Sequence, residues 1–492
     1  MKKLSILIGL FLTLTLAIRA QTTVCGNITG HWTLSGSPYI VTCDINVVNH
    51  LLIDSGVSVK FDAGFYSITV AAGDTFIARG TSNNPIAFES FTTQFPGGWD
   101  GLIFNGSGND DSLFYCNIQS ATYGIKVSGI GGPFITGGTI HANSHSGIYI
   151  TQGASPFISD CITHDNLDYG IDVFNGDTTF IQNCIIYENK KGGIRCYWTG
   201  LAYSAKPKLF NCLIVQNCGI GIEVVAGSTT AGSKPEIANC TIAFNEMDGL
   251  STEELPGSLY CAADPKIYNS ILYNNGGYGI RKGNGTDIDT SDIKYNCFWQ
   301  NVLGQFYNIS GNDFGCSAQN GTYLNANGDF CDINYNICYN PMFTDLYCLK
   351  CNYGNNLFLG SKCINAATPI IFGQINLNIH DIGAFPQNSP ACVSPCPADT
   401  CIVPVGIDFI ASEENKIIVY PNPNQGSFLI DISSLSNLKT HLTITNLIGE
   451  KIKDINLTSG KTELKLEQPA GLYFVTLSTE REIYTTKIII QR

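Results

Sequence analysis

Charge is scarce in this sequence: Asp, Glu, Lys and Arg make up 14% of it, with 27 basic residues against 40 acidic. A formal net charge of −13 argues against nucleic acid or an anionic membrane as a partner, because polyphosphate surfaces need clustered Lys and Arg. After Ile18 there is no long apolar run, so no stretch supplies a membrane-spanning helix. Apolar residues do not recur at helical spacing in the body of the chain, which excludes a helix bundle. A phosphate loop, a nucleotide fingerprint and a Ser-His-Asp arrangement are all missing, which removes the common nucleotide-dependent and acyl-transfer chemistries.

What the sequence has in abundance is repetition. FITGGTIHANSHSGIYI (134–150), FISDCITHDNLDYGIDV (157–173) and FIQNCIIYENKKGGIRC (180–196) align without a gap at a period of 23 residues. A column of glycines runs through Gly124, Gly147, Gly170, Gly193, Gly221, Gly249 and Gly279, its spacing widening from 23 to 28 and then 30. Four residues before each glycine from the second onward stands an asparagine: Asn143, Asn166, Asn189, Asn217, Asn245 and Asn275. Nine before it stand Cys161, Cys184, Cys212 and Cys240, continued by Ser270, with Cys116 one residue out of register.

A unit this short cannot bury its apolar side alone and must stack on copies of itself. Gly-Ile-x-Val is a strand of alternating faces, so Ile171, Ile194 and Ile222 point inward and stack between rungs. The column asparagines suit the bends, tolerating left-handed backbone and hydrogen-bonding the next coil. The column cysteines fill the interior as small hydrophobes and are expected to be reduced. These features predict an all-β, parallel β-helix solenoid with rungs about 4.8 Å apart. The repeat also resembles the right-handed parallel β-helix proteins of the pectate-lyase-like group, over roughly residues 40–385. GTSNNPIAFES (80–90) and GGWDGLIF (97–104) resemble their opening coils, and NPMFTD (340–345), NNLFLGSKCINAA (355–367) and HDIGAF (380–385) their closing segment.

Residues 1–20 read as a signal peptide: Lys2 and Lys3, an apolar run from Leu4 to Ile18, and Ala20 before the cut. With no cysteine at position 21, a lipoprotein anchor is not expected. Residues 21–385 are the β-helix with its caps, stapled at the start by Cys25 and Cys43, and disulfides are expected among the nine cysteines from Cys316 to Cys401. Residues 386–411 are a Pro- and Cys-rich linker. Residues 412–492 then change to regular alternating strands, predicting a small antiparallel β-sandwich. This domain resembles the type A C-terminal sorting domain of type IX secretion in Bacteroidota. The match runs through Tyr420, Pro421, Asn422, Pro423, Gly426, Asn446, Gly449, Glu450, Gly471, Leu472, Tyr473 and Lys487. The resemblance implies handling by type IX secretion machinery and passage across the outer membrane, to the cell surface or into the medium.

A packed solenoid can act only through its outside. Two residues past each column glycine lie Lys126, Tyr149, Asp172, Arg195, Glu223, Ser251 and Arg281, forming one outward stripe. Asp172, Arg195 and Glu223 fall on neighbouring rungs, with Lys191 beside them. The pectate-lyase-like resemblance implies that Arg195 or Lys191 acts as the base of a lyase. Insertions at 197–207, 225–235 and 253–265 are expected to wall this stripe, and Tyr149, Tyr197, Trp198 and Tyr203 to stack on sugar rings. Asp287, Asp289 and Asp292 form an acidic loop that suits calcium, and Asn325, Asn327, Asp329 and Asp332 a second. His141, His145 and His164 are expected as solvated turn residues. Carbohydrate binding or adhesion is the first functional reading, with a polysaccharide lyase or glycoside hydrolase and a structural surface protein as alternatives.

Overall fold

The computed structural model describes residues 21–343 apart from loop stretches at 92–95, 107, 109, 177, 200–203, 228–231, 256–262, 285, 287 and 320–321. It also describes parts of 361–384 and the strands of 418–490. The chain divides into two units, Met1–Cys401 and Ile402–Arg492. The signal-peptide region and the linker lie outside the described residues.

The first unit is a right-handed parallel β-solenoid in which each coil contributes a strand to each of three faces. One coil runs Ile148–Thr151, Phe157–Ser159, Ile162–His164, and the next Tyr169–Phe174, Phe180–Gln182, Ile185–Tyr187. Each strand pairs in parallel with its counterpart 23 residues on. The face carrying the Gly-Ile strands is called the first face, and the next two the second and third. The solenoid opens with Thr22–Trp32 and Tyr39–Asp54, long segments that turn through all three faces. A Cys25–Cys43 disulfide closes this end, as the sequence indicated.

Inward columns are apolar and fully buried: Ile125, Ile148, Ile171, Ile194 and Ile222 stack rung on rung. At the bend after the third face, each column asparagine accepts through Oδ1 from the backbone N–H and Nδ2 of the asparagine one coil earlier. The chain runs without a break from Asn143 through Asn166, Asn189, Asn217, Asn245 and Asn275 to Asn301. The left-handed residue is not the asparagine but its predecessor: Ala142, Asp165, Glu188, Gln216, Phe244, Asn274 and Gln300, with φ between +50° and +58°. Glycine is required in its column by close approach. A Cβ on Gly193 would stand 2.5 Å from Ile214 Cγ2 and 2.6 Å from the Gly221 carbonyl.

Cys161, Cys184, Cys212 and Cys240 are buried and reduced, and burial raises the Cys184 and Cys240 thiols. Cys116 lies on this column after all, because Asn117 pairs with Thr139 and Thr139 with Ile162, which sets Cys116 and Cys161 on either side of Gly138. Among the described C-terminal cysteines the expectation is met by one bridge, Cys316–Cys338, whereas Cys331 and Cys363 are buried free thiols. Cys331, Ile337, Phe343, Cys363, Ala366 and Ile382 form a second apolar layer outside the third face, over Leu213, Val215, Ala243, Ile271 and Tyr273. Backbone contacts from Gly383 to Asn269 and Ala384 to Thr241 fix this closing segment.

The second unit is the expected pair of small antiparallel sheets. One holds Ile418–Tyr420, Ser427–Asp431 and Lys461–Lys465; the other holds Thr440–Asn446, Lys451–Leu457, Gly471–Ser478 and Ile483–Ile490. Phe428, Ile430, Leu442, Ile444, Val475, Leu477 and Ile488 fill its core.

Candidate functional site

The outward stripe of the first face exists in the expected register. Lys126, Tyr149, Asp172, Arg195, Glu223, Ser251 and Arg281 are consecutive strand partners. Its centre is a tightly satisfied cluster. Arg195 donates from Nε to Asp172 Oδ1 at 3.0 Å and from Nη2 to Asp172 Oδ2 at 2.6 Å, a bidentate pair. The guanidinium also lies over two rings, 4.7 Å from the centre of Tyr169 and 5.1 Å from that of Tyr197. The Tyr169 hydroxyl donates to Glu223 Oε2 at 2.5 Å, spanning two rungs. Lys191, at the bend, pairs with Asp168 at 3.0 Å. Further along, Arg281 bridges Asp248 at 3.0 Å and Glu253 at 3.1 Å.

These contacts set the protonation behaviour. Asp172 is buried, which pushes its carboxyl up against the opposing pull of Arg195. Burial works against the Arg195 charge, but the hydrogen bonds and charge of Asp172 outweigh it and the net shift is upward. Tyr169 is raised by burial and then by Glu223. Tyr149 is pushed up to about 12, by burial first and the Asp172 charge second. Arg195 is therefore held as a cation, with its Nε and Nη2 engaged by Asp172.

Several expected residues stand elsewhere. Trp198 does not reach solvent: strand alternation from Ile194 turns Arg195 and Tyr197 outward and Cys196 and Trp198 inward, where Trp198 is wholly buried beside Ala226 of the next rung. It is a core residue, and the sugar-stacking role expected of it is corrected. His141 and His164 are strand residues of the third face, not solvated turn groups. Their rings stack at 4.7 Å and 4°, and His164 stacks on Tyr187 at 4.8 Å and 1°. His145 alone matches the expectation as an exposed bend residue, against the Tyr123 ring.

The acidic loops make protein contacts that leave little for calcium. Asp289 accepts from the Ser291 N–H, and Asp292 pairs with Lys266, while Asp287 lies outside the described residues. In the second loop Asn325 Oδ1 accepts two backbone N–H groups, Asp329 holds Lys362, and Asp332 accepts from Gly315, Asn334 and Asn336. Among the described residues no cluster of three His, Cys, Asp or Glu side chains converges.

The bases of the three insertions do stack side by side, Ala205 bridging to Ser233 and Ser233 to Ala263. Tyr203 and the loop tips lie outside the described residues. Toward the N-terminal side of the cluster the stripe opens into a concavity of about 570 Å³, lined by Asn105, Lys126, Ser128, Tyr149, Gln152 and Phe174 among others. The Tyr149 and Phe174 rings that line it stand 6.0 Å apart, within a run of rings that continues from Tyr149 to Tyr123 at 5.0 Å and from Phe174 to Tyr197 at 5.0 Å. Sequence reasoning missed Tyr123 and Tyr169, although both precede a column glycine, and missed Phe174, which stands two residues past Asp172 on the same face.

In the second unit, Gly426 takes a positive φ with its N–H on Asn424 Oδ1, and buried Tyr473 donates to the Pro469 carbonyl at 2.9 Å. Gly471 and Lys487 lie on adjacent core strands, whereas Pro421, Asn422, Pro423 and Gly449 fall outside the described residues, as does the Tyr420 side chain.

Residues 79–232 match the family described as right handed beta helix region, and residues 418–491 match the secretion system C-terminal sorting domain. This chain is a β-helix carrying a secretion sorting domain. The sorting domain marks the β-helix protein for type IX secretion, to the cell surface or extracellular space. Among the described residues no helix is long and apolar enough to cross a membrane. Solved structures similar to this β-helix protein include pectate lyase Pel9A, at 14% identity over 68% of this chain and 89% of that one, TM-score 0.39. A double mutant of the periplasmic alginate epimerase AlgG matches at 12% identity over 58% and 76%, TM-score 0.37. The A-module of the Azotobacter vinelandii mannuronan C-5 epimerase AlgE4 matches at 12% over 59% and 90%, TM-score 0.30. No curated protein matches at a significant level.

Proposed function

We propose that this secreted β-helix protein binds a carbohydrate chain in the groove of its first face. One observation carries the reading. A concavity of about 570 Å³ lies on an otherwise filled or paired stripe, with the Tyr149 and Phe174 rings as its floor and Asn105, Ser128, Gln152 and Lys126 around it. Partly exposed rings beside amide and hydroxyl groups suit a pyranose, which has an apolar side and a polar rim. The neighbouring charged cluster favours binding over chemistry, because Arg195, Lys191 and Asp172 are committed to one another or to Asp168. The test is a glycan panel with the full chain, following binding by calorimetry and product release by the absorbance of unsaturated sugars. The expected outcome is binding that Tyr149→Ala weakens about tenfold, with no product; each stacked ring contributes on the order of 1 kcal/mol. Release of unsaturated product would replace the binding reading with a lyase.

A further inference from the structure

We infer that Cys297 and Cys363 become joined by a disulfide in the exported protein, fastening the closing segment to the last rungs of the solenoid. Topology brings the pair together. On the strand Cys297–Trp299, Phe298 points into the core, so Cys297 and Trp299 point outward from the third face. Cys363 belongs to the closing segment laid over this face, and its thiol is within hydrogen-bonding reach of the Cys297 thiol. Neighbouring contacts fix both residues. The Cys363 carbonyl accepts from the Ile382 N–H at 2.9 Å, and the Cys297 N–H donates to the Ser270 carbonyl at 2.9 Å. Asn269 donates to the Thr368 carbonyl at 2.8 Å and accepts from the Thr368 N–H at 2.9 Å, while Lys362 pairs with Asp329.

The other close thiols are placed differently. Cys161, Cys184, Cys212 and Cys240 are in-register neighbours on parallel strands, which keeps their Cβ atoms about one rung, or 4.8 Å, apart. A disulfide wants about 3.5–4.5 Å between Cβ atoms, so the ladder stays reduced. Cys297 and Cys363 lie in separate layers, and no rung spacing holds them apart. Cys331, in the same apolar layer, has Asp332 and Asp329 as its titratable neighbours and no thiol. The export route supplies the oxidant. A chain handled by type IX secretion crosses the periplasm, where disulfides form by exchange with a protein disulfide donor. The Cys363 thiolate attacks the donor disulfide, making a mixed disulfide and expelling one donor thiolate. As the segment docks, the Cys297 thiolate attacks the Cys363 sulfur and expels the second. The two thiols together lose two protons and two electrons, and the donor disulfide leaves as a dithiol. Burial of both sulfurs then shields the bond from further exchange.

The test uses the protein recovered from the surface or medium of a secreting culture. It is unfolded in urea with iodoacetamide and no reductant, digested with pepsin at acid pH, and mapped by mass spectrometry before and after dithiothreitol. The expected result is a cross-linked species joining the Cys297 and Cys363 peptides, lighter by two hydrogens than the two thiol peptides together and split by dithiothreitol. Recovery of both cysteines as alkylated thiols overturns the inference, as does a bridge from Cys363 to any other cysteine. A Cys363→Ser variant gives the second reading. Its Cys297 should become alkylated without reductant, and limited proteolysis of the closing segment should quicken several-fold. Proteolysis at the wild-type rate would overturn the fastening role. The wild-type peptide map decides the bond by itself, so a variant that fails to fold does not shelter the inference.

Discussion

Trp198 shows how one side chain is assigned by its parity along a strand. With Ile194 and Cys196 inward, Trp198 is inward too, and Ala226 on the next rung leaves it room. Trp198→Ala is expected to cost about 3–5 kcal/mol through the cavity it leaves, read as a lowered denaturation midpoint; a surface residue would cost almost nothing. His141 gives a second residue-level prediction, concerning pH. Burial, then the neighbouring His164, lowers it from 6.5 to about 4. Between those values the unfolded chain binds a proton that the folded chain does not. Stability contributed here is therefore full above about 6.5 and is lost as the pH falls toward 4. Thermal melts over that range should show the wild type losing Tm faster than His141→Gln. Parallel curves would remove His141 as the cause.

At the scale of the element, the asparagine ladder is the part most open to measurement. Asn189→Ala strands the Asn166 backbone N–H and Nδ2 in the interior, and each such buried donor costs about 1–3 kcal/mol. Asn183, on the solvent side of the neighbouring bend, also bridges two rungs but in part-exposed contacts. Urea unfolding should find Asn189→Ala several-fold more destabilising than Asn183→Ala, and equal losses would deny the ladder its weight. The strand, the glycine column and the inward isoleucines were legible because each recurs as the same residue type. The left-handed bend position was not, since Ala142, Asp165, Glu188, Gln216 and Phe244 share no chemistry and the backbone alone imposes the conformation. The stripe was legible for the same reason as the column, counted from a fixed glycine. Its occupancy was not, because pairing across rungs depends on side-chain reach: Tyr169 meets Glu223 fifty-four residues away. The Trp198 error came from ending the strand at Gly-Ile-x-Val, when Gly192–Trp198 runs longer.

For the whole molecule, the chain divides into two units, Met1–Cys401 and Ile402–Arg492, each with its own core. Deleting Ile402–Arg492 is expected to strand the protein in the periplasm while leaving its circular dichroism and melting point those of the intact β-helix. Fractionation and surface proteolysis check the first part, and normal surface delivery of the truncated chain would overturn it. The regular coils have a consequence for ancestry and engineering. From Asn143 to Asn189, each turn offers the next the same acceptor, the same donors and the same Gly-Ile strand at the same register. A 23-residue segment can thus be duplicated in frame, and the new copy meets above and below it the surfaces its parent met. Each duplication would add about 4.8 Å of length and one more outward position to the groove. The length of the outward stripe then becomes a number that recombination can raise or lower one rung at a time, with the stapled start and the closing segment untouched.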